Sequence, residues 1–544
     1  MLVDMTLAAT IAQPASGVTL NYTLQLYASV DTVNTAVIPF ITLPADTLPS
    51  QQFTGKLQKG LEFHVSIIDG DDIGRKMSAG VGELQLDNSD RGFDTLYQNN
   101  TIDGRRVLLK FGQYTIATEL PASFDTYSTL LDGIAEDWFL DASELRITIR
   151  DNAFKLDVPA SANAYGGTGT TDGDVGLAGK RKEASLGVVN NVTPTLINAA
   201  NLVFSVNGGR QVNGIPATYD SGYGLPTPAT VGPDADYANY AALIAVTISN
   251  GHYATCKAQG LFRLGSTPAG AITCDVQGDS GGTGGYVTDT AAIVRRLIAL
   301  SATGIDLVDE GSFLTLSAAQ SAAVGYFLAL DENKTVRQVA DDLLGGIGAC
   351  GGFRRDGVFE VIRFVAPTGT AVDSYTADDI VDGTLRRVEL PSSYNPPPKR
   401  QRVAYARNWT VQTEVSAGVS DTRKQTLKDE FSVAAHSDTV TAAAIAAAHL
   451  LARDPDPIPG YFALSAPAVA EADRQLTLKG GAVRAIYVFT LKMGKGLTRR
   501  IGDVISLSYA PAGVTWFDLS SKLLTVVGRV DNTTDGTVEL TVFG

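Results

Sequence analysis

Apolar and polar residues alternate through much of the first 150 positions, the period of a half-covered strand. Val18, Leu20, Tyr22, Leu24 and Leu26 recur at every second position, as do Phe63, Val65 and Ile67. Gly80-Val81-Gly82-Glu83-Leu84-Gln85-Leu86-Asp87-Asn88 reads as a strand ending in an Asx-type turn. Asp103 to Phe111 reads as a turn followed by a strand. A helical interruption is expected over 126–139, before a strand at Leu145 to Ile149. From about 187 to 278 short strands alternate with Pro/Gly turns such as Leu225-Pro226-Thr227-Pro228. Helical spacing then appears: Ala291, Val294, Leu297 and Ile298 predict a helix over 288–300, and Val339, Leu343 and Leu344 another over 336–347. Thr441 to Ala452, rich in alanine and without a breaker, predicts a third helix. From about 470 the chain is expected to return to strands, at 485–491, 503–509, 523–527 and 538–542.

The pattern predicts a β-rich α+β chain of several small β-barrel or sandwich modules with short helices. At about 150 residues per domain, 544 residues predict three to five modules. The Gly-rich stretch 164–173 reads as a flexible surface connection, and Pro396-Pro397-Pro398 as a stiff boundary. The expected division is a β module over 1–160, a β-rich hub module over 161–285, an α+β module over 286–395, a linker with a helix-containing module over 396–470, and a β module over 471–544. Glycine, at 55 residues, exceeds the usual share of about 7%, which suits strand-and-turn architecture.

Charge narrows the function classes. Basic residues number 43 and acidic residues 58, a net −15, so tight binding to a phosphate backbone would need a segregated basic face. Lys180-Arg181-Lys182 and Lys399-Arg400-Gln401-Arg402 are too short for one and read as solvated charge at module junctions. The first residues carry no basic region, so no signal peptide is expected, and no apolar run is long enough to span a membrane. Cys256, Cys274 and Cys350 lack a CxxC spacing, so reduced, packed thiols are expected, with no metal and no cofactor.

Gly278-Asp279-Ser280-Gly281-Gly282 spells the signature around the nucleophile of chymotrypsin-like serine proteases. That chemistry also needs a histidine base and a buried aspartate. Of the four histidines, His436 and His449 lie downstream of Ser280, His252 is too close upstream for a double barrel, and His64 sits within an alternating strand. The stretch therefore reads as a Gly-rich loop entering a helix. Asp69, Asp71 and Asp72 lack the ligand ladder of a calcium loop and read as a solvated turn. Trp138, Trp409 and Trp516 are scattered and read as packing residues. No catalytic residue is expected, and the chain reads as a non-enzyme.

Four stretches resemble baseplate and tail-hub proteins of long-tailed bacteriophages. Arg500 to Tyr509, then Leu524 to Asp531 and Thr537 to Gly544, resemble their closing strands, with Phe543 where tryptophan is more usual. Gly80 to Asn88, with Asp94-Thr95-Leu96 and Asp103 to Val107, resembles their N-terminal part. Gly187 to Ile197 resembles a "G-x-V-x-N-V-x-P" segment, and Ile272 to Gly278 the "T-x-D-V-x-G" that precedes a helix. The resemblance implies a structural virion component at the tail tip, assembled in the host cytoplasm. It implies a homotrimeric hub that closes the tail tube and forms part of the DNA ejection channel. Its partners would be distal tail, tape measure and tail-tip or fibre proteins, with transient passage of phage DNA and no stable membrane insertion. The alternatives are a receptor- or carbohydrate-binding tail protein, or a tail-associated hydrolase.

Overall fold

Strand Glu144–Arg150 buries Leu145, Ile147 and Ile149 and leaves the residues between them half-covered, so the sequence alternation is the alternation of a sheet with one face on the core. The computed structural model describes residues 2–9, 23–29, 40–42, 52–54, 56–111, 128–229, 232–301, 308–510 and 519–544. Among these the fold is α+β and β-rich, with six sheets and short helices between them. Residues 18–22 and Trp516, each the subject of an expectation, lie outside the described residues.

The largest sheet is built from N-terminal strands, including Leu2–Ala9, Arg106–Phe111, Glu144–Arg150 and Glu83–Asp87. The helix expected over 126–139 is instead its strand Ser128–Leu140, paired antiparallel on both sides; residues 126 and 127 lie outside the described residues. Leu130, Leu131, Ile134 and Ala135 are all buried, a spacing that imitates a helix face. Register shifts at Leu109/Lys110 and Ala135/Asp137 cause it, because a bulge resets which side of the strand faces the core.

The second large sheet holds the chain's last strands, Val504–Tyr509, Leu519–Asn532 and Thr537–Phe543, with Ile486–Lys492 beside them. Strand Glu62–Asp69 joins it, pairing Ser66 with Gly528 and His64 with Val530, and brings its hairpin partner Asp72–Val81. Strand pairing therefore links the first and last expected modules directly. Leu524, Val526, Leu540 and Phe543 are fully buried beneath it.

Between them, a five-stranded sheet sets Ala184–Val192 between Ile272–Asp279 and Gly325–Leu328. Helices Thr290–Ser301 and Val336–Gly345 form close to where the spacing predicts them. The second starts at a capping box: Thr335 accepts from the Gln338 amide, and the Gln338 side chain accepts from the Thr335 amide. Thr335→Ala removes one half of it and is expected to lower stability by about 1 kcal/mol, read as a shift in denaturant midpoint at constant slope.

Helix Ser465–Gly480, the longest described, occupies the point where strands were expected to resume. Its covered stripe mixes Ala468, Ala472 and Leu476 with Glu471, Gln475 and Lys479, and the polar members hide the helical period from a hydropathy reading. The helix expected over 441–452 runs from Thr439–Ala448 and buries only Ile445. The 164–173 stretch is pinned rather than loose. The Tyr165 hydroxyl donates to buried Glu183 at 3.0 and 2.9 Å, and Asp172 accepts from Thr168 at 3.0 Å and pairs with Lys182 at 3.3 Å.

Candidate functional site

Strand Ile272–Asp279 delivers the Gly278-Asp279-Ser280-Gly281-Gly282 loop to the N-terminal side of helix Thr290–Ser301. A side chain at 278 would put its Cβ 2.4 Å from the Ser185 carbonyl oxygen, so glycine is required where these strands meet. The Asp279 carboxylate is buried and accepts from Arg296 Nη1 at 2.6 Å and from Asn207 at 3.4 Å, with Arg210 Nε at 3.8 Å. Arg296 Nη2 also donates to the Thr283 and Gly285 carbonyls at 2.8 and 2.7 Å. One guanidinium thus laces the loop shut. Ser280 donates its backbone amide to Gln211 at 3.2 Å, while its Oγ is buried and has no hydrogen-bond partner. No general base touches that oxygen among the described residues, and His252 is occupied elsewhere, its Nδ1 lying 3.1 Å from Asp234.

Two of the stretches that resemble tail-hub proteins meet beside this loop. Val188 pairs with Gln277, Val189 with Val276 and Val192 with Cys274. Gly187 has φ +68°, and a Cβ there would lie 2.1 Å from the Val324 carbonyl oxygen; one at Gly325, opposite it, would come still closer to the Val188 carbonyl oxygen. Asn191, at φ +52°, donates its amide to Asp275 Oδ1 at 2.8 Å and its side chain to Asn408 Oδ1 and the Thr410 carbonyl, each at 2.7 Å. Asp275 also accepts from the Tyr219 hydroxyl at 2.6 Å. Asn408 passes the connection on to the Leu427 and Asp429 carbonyls at 2.9 and 3.1 Å. Asn191 and Asp275, one from each stretch, are therefore spent fastening a distant loop to the sheet, a mechanical role.

Sequence reasoning missed the partners. Asn191 and Asn408 stand 217 positions apart, and no spacing rule connects them. Trp409, read as a packing residue, sits edge-on to Tyr326 at 5.2 Å with the Arg407 guanidinium 3.9 Å over its ring. Trp138 packs against Tyr97 at 5.1 Å.

The acidic turn is exposed at Asp69 and Asp71, as a solvated turn would be, and it also carries tertiary contacts. Asp71 accepts from the Ser392 hydroxyl at 2.5 Å, and Asp72 accepts from Ser393 at 3.0 Å and from buried Lys479 at 3.1 Å. The turn clamps the segment before the prolines to helix Ser465–Gly480. Arg402 and Arg400 of the basic stretch reach Asp454 at 3.0 and 3.6 Å, so this junction too is tied by charge pairs. Cys256, Cys274 and Cys350 are free and buried. Burial pushes the Cys256 thiol up to about 11 and raises the other two, which leaves them unreactive as nucleophiles near neutral pH. Among the described residues no group of three or more His, Cys, Asp or Glu side chains could hold a metal ion, and no helix is long and apolar enough to cross a membrane.

No family model matches the chain, and no curated protein does. Solved structures do show similarity. A chain of the virion of a native gene transfer agent particle aligns with TM-score 0.38 and 15% identity, over 67% of this chain and 84% of that one. A tail protein from Neisseria meningitidis MC58 aligns with TM-score 0.36 and 10% identity, over 90% and 95% of the two chains. The 43 kDa tail protein of prophage MuSo2 from Shewanella oneidensis gives 0.35 and 10%, over 90% and 93%.

Proposed function

We propose that this chain is a structural protein of a phage tail and forms a homotrimeric baseplate hub that closes the tail tube around the DNA ejection path. An assembly role rests on one observation, the surface around helix Thr439–Ala448. That helix carries no charged side chain and buries only Ile445. Val440 is 80% exposed, and just past the helix Leu450 and Leu451 are 94% and 80% exposed. A helix apolar on all sides belongs in an interior, and clustered exposed leucines mark a surface that another protein covers. We assign this surface to contact between copies.

The tail-hub reading rests on the resembling stretches. Their contacts support a shared scaffold: 188–192 pairs with 274–277, and Val504–Tyr509, Leu519–Asn532 and Thr537–Phe543 are neighbouring strands of one sheet. The net charge of −15 suits a wall along which DNA slides, since each phosphate paired with Lys or Arg would add a salt-dependent grip.

The test is the mass of the purified chain by light scattering, with electron micrographs of assembled particles. A ring of three copies is expected, and Leu450→Asp combined with Leu451→Asp should give folded monomers. A wild-type monomer at micromolar concentration, with no ring in any particle, overturns the reading.

A further inference from the structure

A cavity of about 170 Å³ lies where the N-terminal hairpin meets the last sheet. Its floor is apolar, with Phe63, Met77 and Phe353, and its wall holds Arg354, Arg355, Arg499, Arg500 and Arg529. Only two lining residues are acidic, Asp356 and Glu360.

The five guanidinium groups are unequally matched. Arg354 is saturated, with two bonds to Asp356 at 3.0 and 2.9 Å and one to Asp309 at 2.9 Å; Glu360 lies 3.6 Å away. Arg529 is held by Asp531 and by the Arg499 carbonyl. Arg355 is only loosely matched. Its Nη1 is buried without a hydrogen-bond partner, and the nearest carboxylate oxygen, Asp531 Oδ2, stands 3.9 Å off and is itself unbonded. Arg499 Nε also lacks a hydrogen-bond partner, with Asp373 Oδ2 at 3.9 Å, while its Nη2 donates to the Thr498 hydroxyl at 2.8 Å and its Nη1 stands 3.9 Å from Asp503. Arg500 is exposed and forms no ion pair among the described residues, though its charge reaches Glu360. Burial, then the charge of Arg529, pulls Arg355 down to about 10, against the opposing pull of Asp531 and Asp356.

Buried donors without acceptors are costly, and several guanidinium forks converging on one space suit an ion with several oxygens. Taking about 30 Å³ per water, the cavity has room for a tetrahedral anion and little more. We propose that this pocket binds a phosphate-class oxyanion, free inorganic phosphate or the terminal group of a small phosphate monoester, through Arg355, Arg499 and Arg500. The ion locks the 497–501 segment, the 353–356 turn and the N-terminal hairpin into one unit.

The experiment titrates the full chain with inorganic phosphate against sodium chloride of equal ionic strength, by calorimetry and by thermal melting. Wild-type protein is expected to bind and to melt at a temperature that rises with phosphate. Arg500→Ala removes an exposed side chain with no ion pair, so its fold should persist while affinity falls about tenfold or more. Arg500→Lys should recover part of the loss. Arg386→Ala, an exposed arginine paired with Glu539 elsewhere on the same sheet, should bind like wild type. Glycerol phosphate in a parallel arm separates the two sources, and binding of either supports the pocket. No shift in wild type beyond the chloride control, equal binding by Arg500→Ala, or a response to duplex DNA alone overturns the proposal.

Discussion

Replacing Glu471 by alanine should cost about 3–5 kcal/mol and leave much of the chain unfolded where the wild type is stable. Glu471 is 1% exposed on the covered stripe of helix Ser465–Gly480. Its carboxylate accepts from Arg363 at 2.8 Å, from Arg474 at 2.8 and 2.6 Å, and from Gln475 at 2.9 Å. Arg363 ends the strand Phe359–Arg363, and Arg474 also donates to the Phe364 carbonyl at 2.7 Å, so one carboxylate ties the helix to the hairpin beneath it. Burial acts to lower Arg474, and Glu471 beside it holds it above its ordinary value. For Arg363, burial and then Arg474 win, and it is lowered. Without Glu471 the two guanidinium groups face each other with only the weaker pull of Asp72 on Arg474. Against a total stability of about 5–15 kcal/mol that is a large fraction. Glu471→Gln keeps one acceptor oxygen and should lose less. Chemical denaturation of both variants checks the order, and a loss below about 1 kcal/mol for the alanine variant contradicts it.

The same helix shows where the sequence stops being legible. Where one face of an element meets the core and the other meets water, period and burial agree: Glu83–Asp87, Glu144–Arg150 and Val336–Gly345 fall close to where alternation or helical spacing put them. The reading fails where that rule is broken. Ser465–Gly480 covers charged residues that tertiary partners satisfy, so hydropathy sees no stripe. Ser128–Leu140 is bulged and copies the spacing of a helix. Thr439–Ala448 is uncharged and rich in alanine on every face, which fixes the helix but hides that it lies on the surface. The loops follow suit. Glycine content suggested freedom at 164–173, while buried Tyr165 and Glu183, which carry the order there, bond across 18 positions. The missing histidine next to Ser280 was readable, because composition limits a catalytic set. Asn408 and Lys479 were not, because each acts on a residue far away in the chain.

The Gly-rich loop yields a paired prediction that separates chemistry from architecture. Ser280→Ala removes a buried hydroxyl that bonds to nothing, so stability, assembly and infectivity should stay as in wild type, and a fluorophosphonate probe should not label the native serine. Arg296→Ala should cost about 3–5 kcal/mol, because it leaves Asp279, 2% exposed, as a buried carboxylate and orphans the Thr283 and Gly285 carbonyls. One neighbour moderates the loss. Arg210 is lowered by burial, supported by Asp279 and opposed by Arg296, so removing Arg296 frees it to close its 3.8 Å gap to Asp279. The result should therefore fall toward the lower end of that range, and Arg296→Ala combined with Arg210→Ala should exceed the sum of the single losses. Arg296→Lys restores one charge but lacks the fork that reaches a carboxylate and two carbonyls, so only part of the stability should return. Limited proteolysis reads the loop directly: cleavage within 281–286 should appear in Arg296→Ala and not in Ser280→Ala. Labelling of Ser280, or a loop in Arg296→Ala as resistant as wild type, would show that something other than this guanidinium holds the loop.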